Sequence, residues 1–143
     1  MIWPSTRGDC LRAVGHFLDT VGATHVHLEE GDTRLLVRYT HNGDTSETQF
    51  TAEELQALVE AARTQRGKRA NPASPGLEQR LRAIGQDMER KRARNIRIDE
   101  SDRAFLIRYF LAGEGIVRST YLFPTVTSLM GRGERQRREA DAE

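Results

Sequence analysis

His25 and His27 are the first residues whose types and spacing suggest chemistry, because two imidazoles two positions apart on an alternating strand face the same side and begin a metal site. A third ligand does not follow: His41 falls on the opposite face by alternation, His16 lies on a helix, and a carboxylate such as Glu47 would have to come in from elsewhere. The expected role of the pair is a solvated strand face, with no metal. Carboxylates recur as Glu30 and Glu100 and as Asp32 and Asp102; paired carboxylates can move protons, but at a hairpin bend their ordinary work is turn formation. Cys10 is the only cysteine, which excludes an intrachain disulfide and a cysteine-only zinc site. Its place near a helix start can lower a thiol pKa, yet a lone cysteine is expected to be inert. The sequence contains no serine nucleophile elbow, no phosphate-binding glycine loop and no HExxH segment, so neither catalytic residues nor a cofactor are expected.

Charge offers a second kind of chemistry. Residues 63–97 hold 11 lysines and arginines against Glu78, Asp87 and Glu89, a net of +8. Arg66, Lys68, Arg69, Arg90, Lys91, Arg92, Arg94 and Arg97 are the candidate phosphate contacts in this stretch. No aromatic residue lies between Ala61 and Asp99, which disfavours stacking on single-stranded bases. Cations at Arg90 to Arg94 also complement the negative end of a helix, an ordinary structural role. Residues 1–62 are net −6 and residues 63–143 net +7, which together give the +1 of the chain.

The elements that must position these residues are legible from a repeat. Displacing the chain by 70 positions aligns Leu11–Tyr39 with Leu81–Tyr109 without a gap, and ten of the 29 positions are identical, among them Arg12/Arg82, Gly15/Gly85, Glu30/Glu100, Leu36/Leu106, Arg38/Arg108 and Tyr39/Tyr109. Apolar residues at helical spacing (Leu11, Val14, Leu18, Val21; Leu77, Leu81, Ile84, Met88) predict one helix in each half. Alternation at Val26 and Leu28, and at Ile96 and Ile98, predicts a strand after each. Turns at Gly31-Asp32 and Ser101-Asp102 lead into strands at Arg34–Thr40 and Ala104–Phe110, a register that sets Leu28 opposite Leu35. Asn42-Gly43 and Ala112-Gly113-Glu114 predict second hairpins, with third strands at Thr45–Phe50 and Gly115–Leu122. Thr51 and Glu54 form a capping box for a helix from Ala52 to Gln65. Pro124 starts at most a short helix in the second half.

These readings predict an α+β chain built by internal duplication of an αβββα unit. Residues 1–65 form the first copy, 66–76 a linker, 77–131 the second copy and 132–143 a charged, frayed tail. In element order and size each copy resembles the double-stranded-RNA-binding domain. That family opens its second helix with a lysine-rich segment, where this chain has Ala52-Glu53-Glu54 and Thr125-Val126-Thr127, so no functional residue is carried over. A unit of about 60 residues buries little alone, so the copies should pack together as a pseudo-symmetric unit. Glycine at matching mid-helix positions, Gly15 and Gly85, predicts a close approach there. By alternation Leu36, Arg38, Leu106, Arg108 and Phe110 fall on the sheet face opposite the core and form the candidate interaction surface.

The expected function is a non-catalytic interaction module or oligomer-forming adaptor that takes a protein partner or a second copy, with nucleic-acid binding through residues 63–97 as the alternative. Apolar runs of at most four residues exclude a membrane-spanning helix, and the N-terminus lacks the basic-then-apolar pattern of a secretory signal, so a cytoplasmic location is expected.

Overall fold

The computed structural model describes residues 1–64 and 76–126. Its element order is α1 (Arg7–Val21), β1 (Thr24–Glu30), β2 (Arg34–His41), β3 (Asp44–Thr51), α2 (Ala52–Thr64), α3 (Leu77–Lys91), β4 (Arg94–Glu100), β5 (Ala104–Leu111) and β6 (Gly115–Leu122). The fold is α+β: six antiparallel strands form one sheet in the order β3-β2-β1-β4-β5-β6, with the helices over one face. β1 pairs with β4 at His27/Asp99, Leu28/Ile98 and Glu29/Arg97, so the two halves of the chain share a single sheet.

Local signals account for the elements. Thr6 caps α1 by accepting a hydrogen bond from the Asp9 amide at 3.1 Å, and Gly22 ends the helix with φ +70°. The capping box of α2 is formed, since the Glu54 amide donates to Thr51 Oγ1 at 3.2 Å and the Thr51 amide to Glu54 Oε1 at 3.3 Å. Asn42 and Gly43 both take positive φ, as a two-residue hairpin turn requires. Gln65, the linker residues 66–75 and the tail 132–143 lie outside the described residues.

The first hairpin of each half differs from the sequence expectation. Glu30 pairs with Leu35 and the Gly31 amide bonds the Arg34 carbonyl, so Asp32-Thr33 is the turn and Leu28 faces Val37. In the second half the Ser101 amide bonds Ala104 and Ile98 faces Ile107. A slip of two residues leaves each side chain on its expected face, which is why the hydrophobic pattern did not distinguish the two registers.

The two halves meet in two layers. In the helical layer the backbones of α1 and α3 nearly touch: a Cβ on Gly15 would lie 2.6 Å from Glu78 Cα, and one on Gly85 2.6 Å from the Arg7 carbonyl. Each helix caps the other. Asp19, near the end of α1, accepts from the Leu77 and Glu78 amides at 3.0 Å, replacing the side chain that Gly76 lacks at the start of α3. Glu89, near the end of α3, accepts from the Arg7 amide at 3.0 Å and from the Arg7 guanidinium at 2.8 Å. Burial pushes the Glu89 carboxyl up, but these Arg7 contacts outweigh it and hold it below the usual range.

In the sheet, β1 and β4 each carry an extra residue against their outer partners, and His25 and Asn95 both take φ +51°. The irregularity diverts the next amide from the ladder. Glu100 Oε1 accepts from Val26 at 3.4 Å, and Glu30 Oε1 accepts from Ile96 at 3.2 Å. The recurring glutamates are therefore acceptors exchanged across the seam. Burial pushes the Glu100 carboxyl up against the opposing pull of the Val26 and His25 amides.

Gly15→Ala is expected to destabilise the protein by roughly 1–3 kcal/mol, because the methyl group strikes backbone that no rotamer change can clear. Asp19→Ala, which uncaps α3, should cost about 1 kcal/mol. Urea denaturation checks both; a Gly15→Ala protein as stable as the wild type would contradict the crossing described.

Candidate interaction surface

The face of the sheet that is helix-free among the described residues is ordered by register into rows that cross the whole sheet. One row runs Gln49, Leu36, Glu29, Arg97, Arg108, Arg118; the next runs Glu47, Arg38, His27, Asp99, Leu106, Thr120. On the β1–β3 side Arg38 and His27 both have acidic partners. Arg38 donates to Glu47 at 3.0 and 3.2 Å, and His27 lies between Asp99, in a very short contact, and Glu29 at 3.4 Å. Beside it a shallow depression of about 310 Å³ is lined by residues that include Glu29, Thr33, Arg34, Leu36 and Gln49.

The β4–β6 side is different. Arg97, Arg108 and Arg118 stand directly opposite one another on neighbouring strands, an arrangement that like charges disfavour. Among the described residues only Arg97 of the three has a carboxylate within reach, Asp99 at 3.6 Å. Around this row lie exposed apolar side chains: Leu106 (49% exposed), Phe110 (37%), Ile116 (64%) and Leu122 (52%). The surface is thus apolar with uncompensated positive charge, a composition suited to an acidic, partly apolar partner.

All five residues expected on this face are on it, but in two groups. Leu106, Arg108 and Phe110 share β5, while Leu36 and Arg38 on β2 lie three strand spacings away, about 14 Å. Ile116, Arg118 and Leu122 were missed. Their signal was present, since the Ala112-Gly113-Glu114 turn pairs Leu111 with Gly115 and so brings Ile116 beside Phe110.

The candidate phosphate contacts scatter. Arg90 and Lys91 turn to Asp87, at 3.0 and 2.9 Å, on the helical side of the sheet. Arg92 ends α3 with φ +55°, Arg94 begins β4 opposite Phe110, and Arg97 stands on the opposite face of the sheet. Arg66, Lys68 and Arg69 lie outside the described residues. Between His25 and His27 the strand alternation is interrupted, since His25 takes φ +51° and the β1–β2 register shifts between Thr24 and His27. Among the described residues no group of three or more metal-ligating side chains is assembled.

Asp87 is the buried carboxylate the sequence reading overlooked. It occupies the position matching Phe17 and accepts from the Tyr121 hydroxyl at 2.5 Å and from Lys91, whose ammonium also donates to Tyr121 at 3.0 Å. Burial pushes the Asp87 carboxyl up, but the bonds from Tyr121 and Lys91 prevail and hold it below the usual range. Burial and then Asp87 push the Tyr121 hydroxyl up to about 12, and Lys91 is likewise raised, against the pull of its own burial, by Tyr121 and Asp87. Each group is fixed in its resting charge state, which ties the end of α3 to β6 and leaves no proton poised near neutrality. Cys10 is fully buried and burial pushes its thiol up to about 11.

A carboxyl depressed by folding stabilises the protein above its unfolded pKa, and that contribution is lost as pH falls through the folded value. Tyr121→Phe should therefore cost about 1–3 kcal/mol at pH 7 by removing a hydrogen bond to a charged group. Its deficit relative to wild type should narrow once the pH is taken well below the usual carboxylate range, as read by urea denaturation at the two pH values. Among the described residues no helix is long and apolar enough to cross a membrane. No family model, curated protein or solved structure matches this chain.

Proposed function

We propose that the protein is a non-catalytic interaction module, an adaptor that binds a protein partner on the helix-free face of its sheet. The observation that carries this reading is the exposed apolar group of Leu106, Phe110, Ile116 and Leu122 around the arginine row on β4–β6. Monomeric surfaces seldom keep such residues together without use.

The scaffold in this proposal is an internal duplication, with copies at residues 1–65 and 77–131 joined by 66–76 and related by a pseudo-twofold axis through the β1–β4 seam. Support comes from contacts that exchange under a shift of 70: Asp19 to Leu77 with Glu89 to Arg7, Glu100 to Val26 with Glu30 to Ile96, and Gly15 with Gly85. The outer faces of the copies have diverged, one self-compensated and one open for binding.

The alternative is nucleic-acid binding, in which Arg94 and Arg97 act with Arg108 and Arg118. Two of its expected contacts, Arg90 and Lys91, are already engaged by Asp87. Both readings are tested by capturing partners on the immobilised protein in parallel with a Leu106→Glu/Phe110→Glu variant, and by titrating duplex DNA and RNA at two salt concentrations. The adaptor reading expects a protein retained by the wild type and lost, by at least tenfold, with the variant. Steeply salt-dependent duplex binding with no protein retained would replace it with the alternative.

A further inference from the structure

β6 closes one side of the sheet, and among the described residues no strand covers its outer edge. Exposed edges are normally guarded by proline, bulges, inward charges or short length. β6 has none of these: it runs eight residues, Gly-Ile-Val-Arg-Ser-Thr-Tyr-Leu, in unbroken register with β5, and its single charge is Arg118. The opposite edge, β3, is equally long but polar, with Asp44, Glu47 and four threonine or serine residues.

We propose that β6 is a self-association edge that joins two copies of this chain in antiparallel register centred on Ser119. A twofold axis normal to the sheet keeps the helices of both copies on one side and brings open-face residues opposite open-face residues. Only a few centres remain. Centring on Arg118 sets that arginine against itself, and centring on Thr120 sets it against the partner's Leu122. Centring on Val117 sets Ile116 against the partner's Arg118. Centring on Ser119 sets Ile116 against the partner's Leu122, Val117 against the partner's Tyr121 and Arg118 against the partner's Thr120. Apolar meets apolar twice on each side of the axis, no like charges meet, and seven of the eight strand residues find a partner. Ile116 and Leu122 are among the most exposed large apolar residues of the described chain, at 64% and 52%, so pairing them accounts for exposure that the isolated sheet does not.

The edge shares Ile116 and Leu122 with the face proposed above to bind a partner, while Leu106 and Phe110, the residues changed in the capture test, lie on β5; the two readings are told apart by assay, the mass of the isolated protein here and partner recovery there. Light scattering and sedimentation of the purified full chain should give twice its 16.2 kDa at micromolar concentration. Ile116→Glu/Leu122→Glu places like charges opposite each other across the axis and should weaken the dimer at least tenfold. Ile116→Glu/Leu122→Lys places opposite charges there and should restore it; both sites are exposed, and circular dichroism verifies that each variant folds. Ser119→Cys should oxidise to a covalent dimer, since Cα atoms opposite one another in an antiparallel pair lie about 4.5–5.5 Å apart, within reach of a disulfide, while Cys10 is buried. A wild type that stays monomeric at every concentration, a dimer indifferent to the double glutamate change, or a dimer not restored by the opposite-charge variant would each overturn the proposal.

Discussion

The near-contact of α1 and α3 is the constraint from which the rest of the structure follows. Two helices approach this closely only where side chains are absent at the crossing, and Gly15 and Gly85 supply that absence, each against the other helix's first turn. The approach brings the end of one helix to the start of the other, so Asp19 and Glu89 reach amides that have no partner within their own helix. The β1–β4 seam beneath has only three registered pairs, against eight in each outer hairpin. Its alignment is completed by Glu30 and Glu100, which take up the amides released by the irregular residues His25 and Asn95.

Polar groups at this junction are thus arranged in pairs that each half supplies to the other. The economy of the two outer regions is unlike it. On β1–β3 Arg38 answers Glu47, and His27 answers Asp99 across the seam on β4. On β4–β6 the arginines line up against one another with apolar neighbours. On the helical side of that same region, Asp87, Lys91 and Tyr121 form a compact bonded group where the first half has Phe17 packed edge-on to Tyr39 and Phe50. A shared frame therefore carries two quite different chemistries.

Much of the frame was legible in the sequence because it is written in short-range signals. The helical stripes, the Thr51/Glu54 box and the Asn42-Gly43 turn each depend on residues within a few positions, and all three formed. The helix-free face followed from alternation alone, which placed Leu36, Arg38, Leu106, Arg108 and Phe110 correctly. The first hairpin register did not follow, because Gly31 reads as a turn residue while the turn sits one position later, and a slip of two conserves every face. The break in alternation at His25 was illegible for a related reason: alternation assumes extended backbone, and His25 leaves it. Nor could sequence spacing show that Glu30 and Glu100 serve each other's half, or that Asp87 would find Tyr121 thirty-four positions away. Those partners are set by the assembled sheet.

The exchanged caps and acceptors have a consequence for how the chain holds together. The junction between its halves has the make-up of a binding interface, with complementary donors and acceptors on either side, although both sides belong to one chain. Covalent connection converts their encounter from a bimolecular event to an intramolecular one, at an effective concentration commonly in the millimolar range for short tethers. The junction can therefore be modest in intrinsic affinity and still be closed nearly all the time. Separated into two chains, the halves would hold the same donors and acceptors toward each other, yet their closed state would depend on dilution.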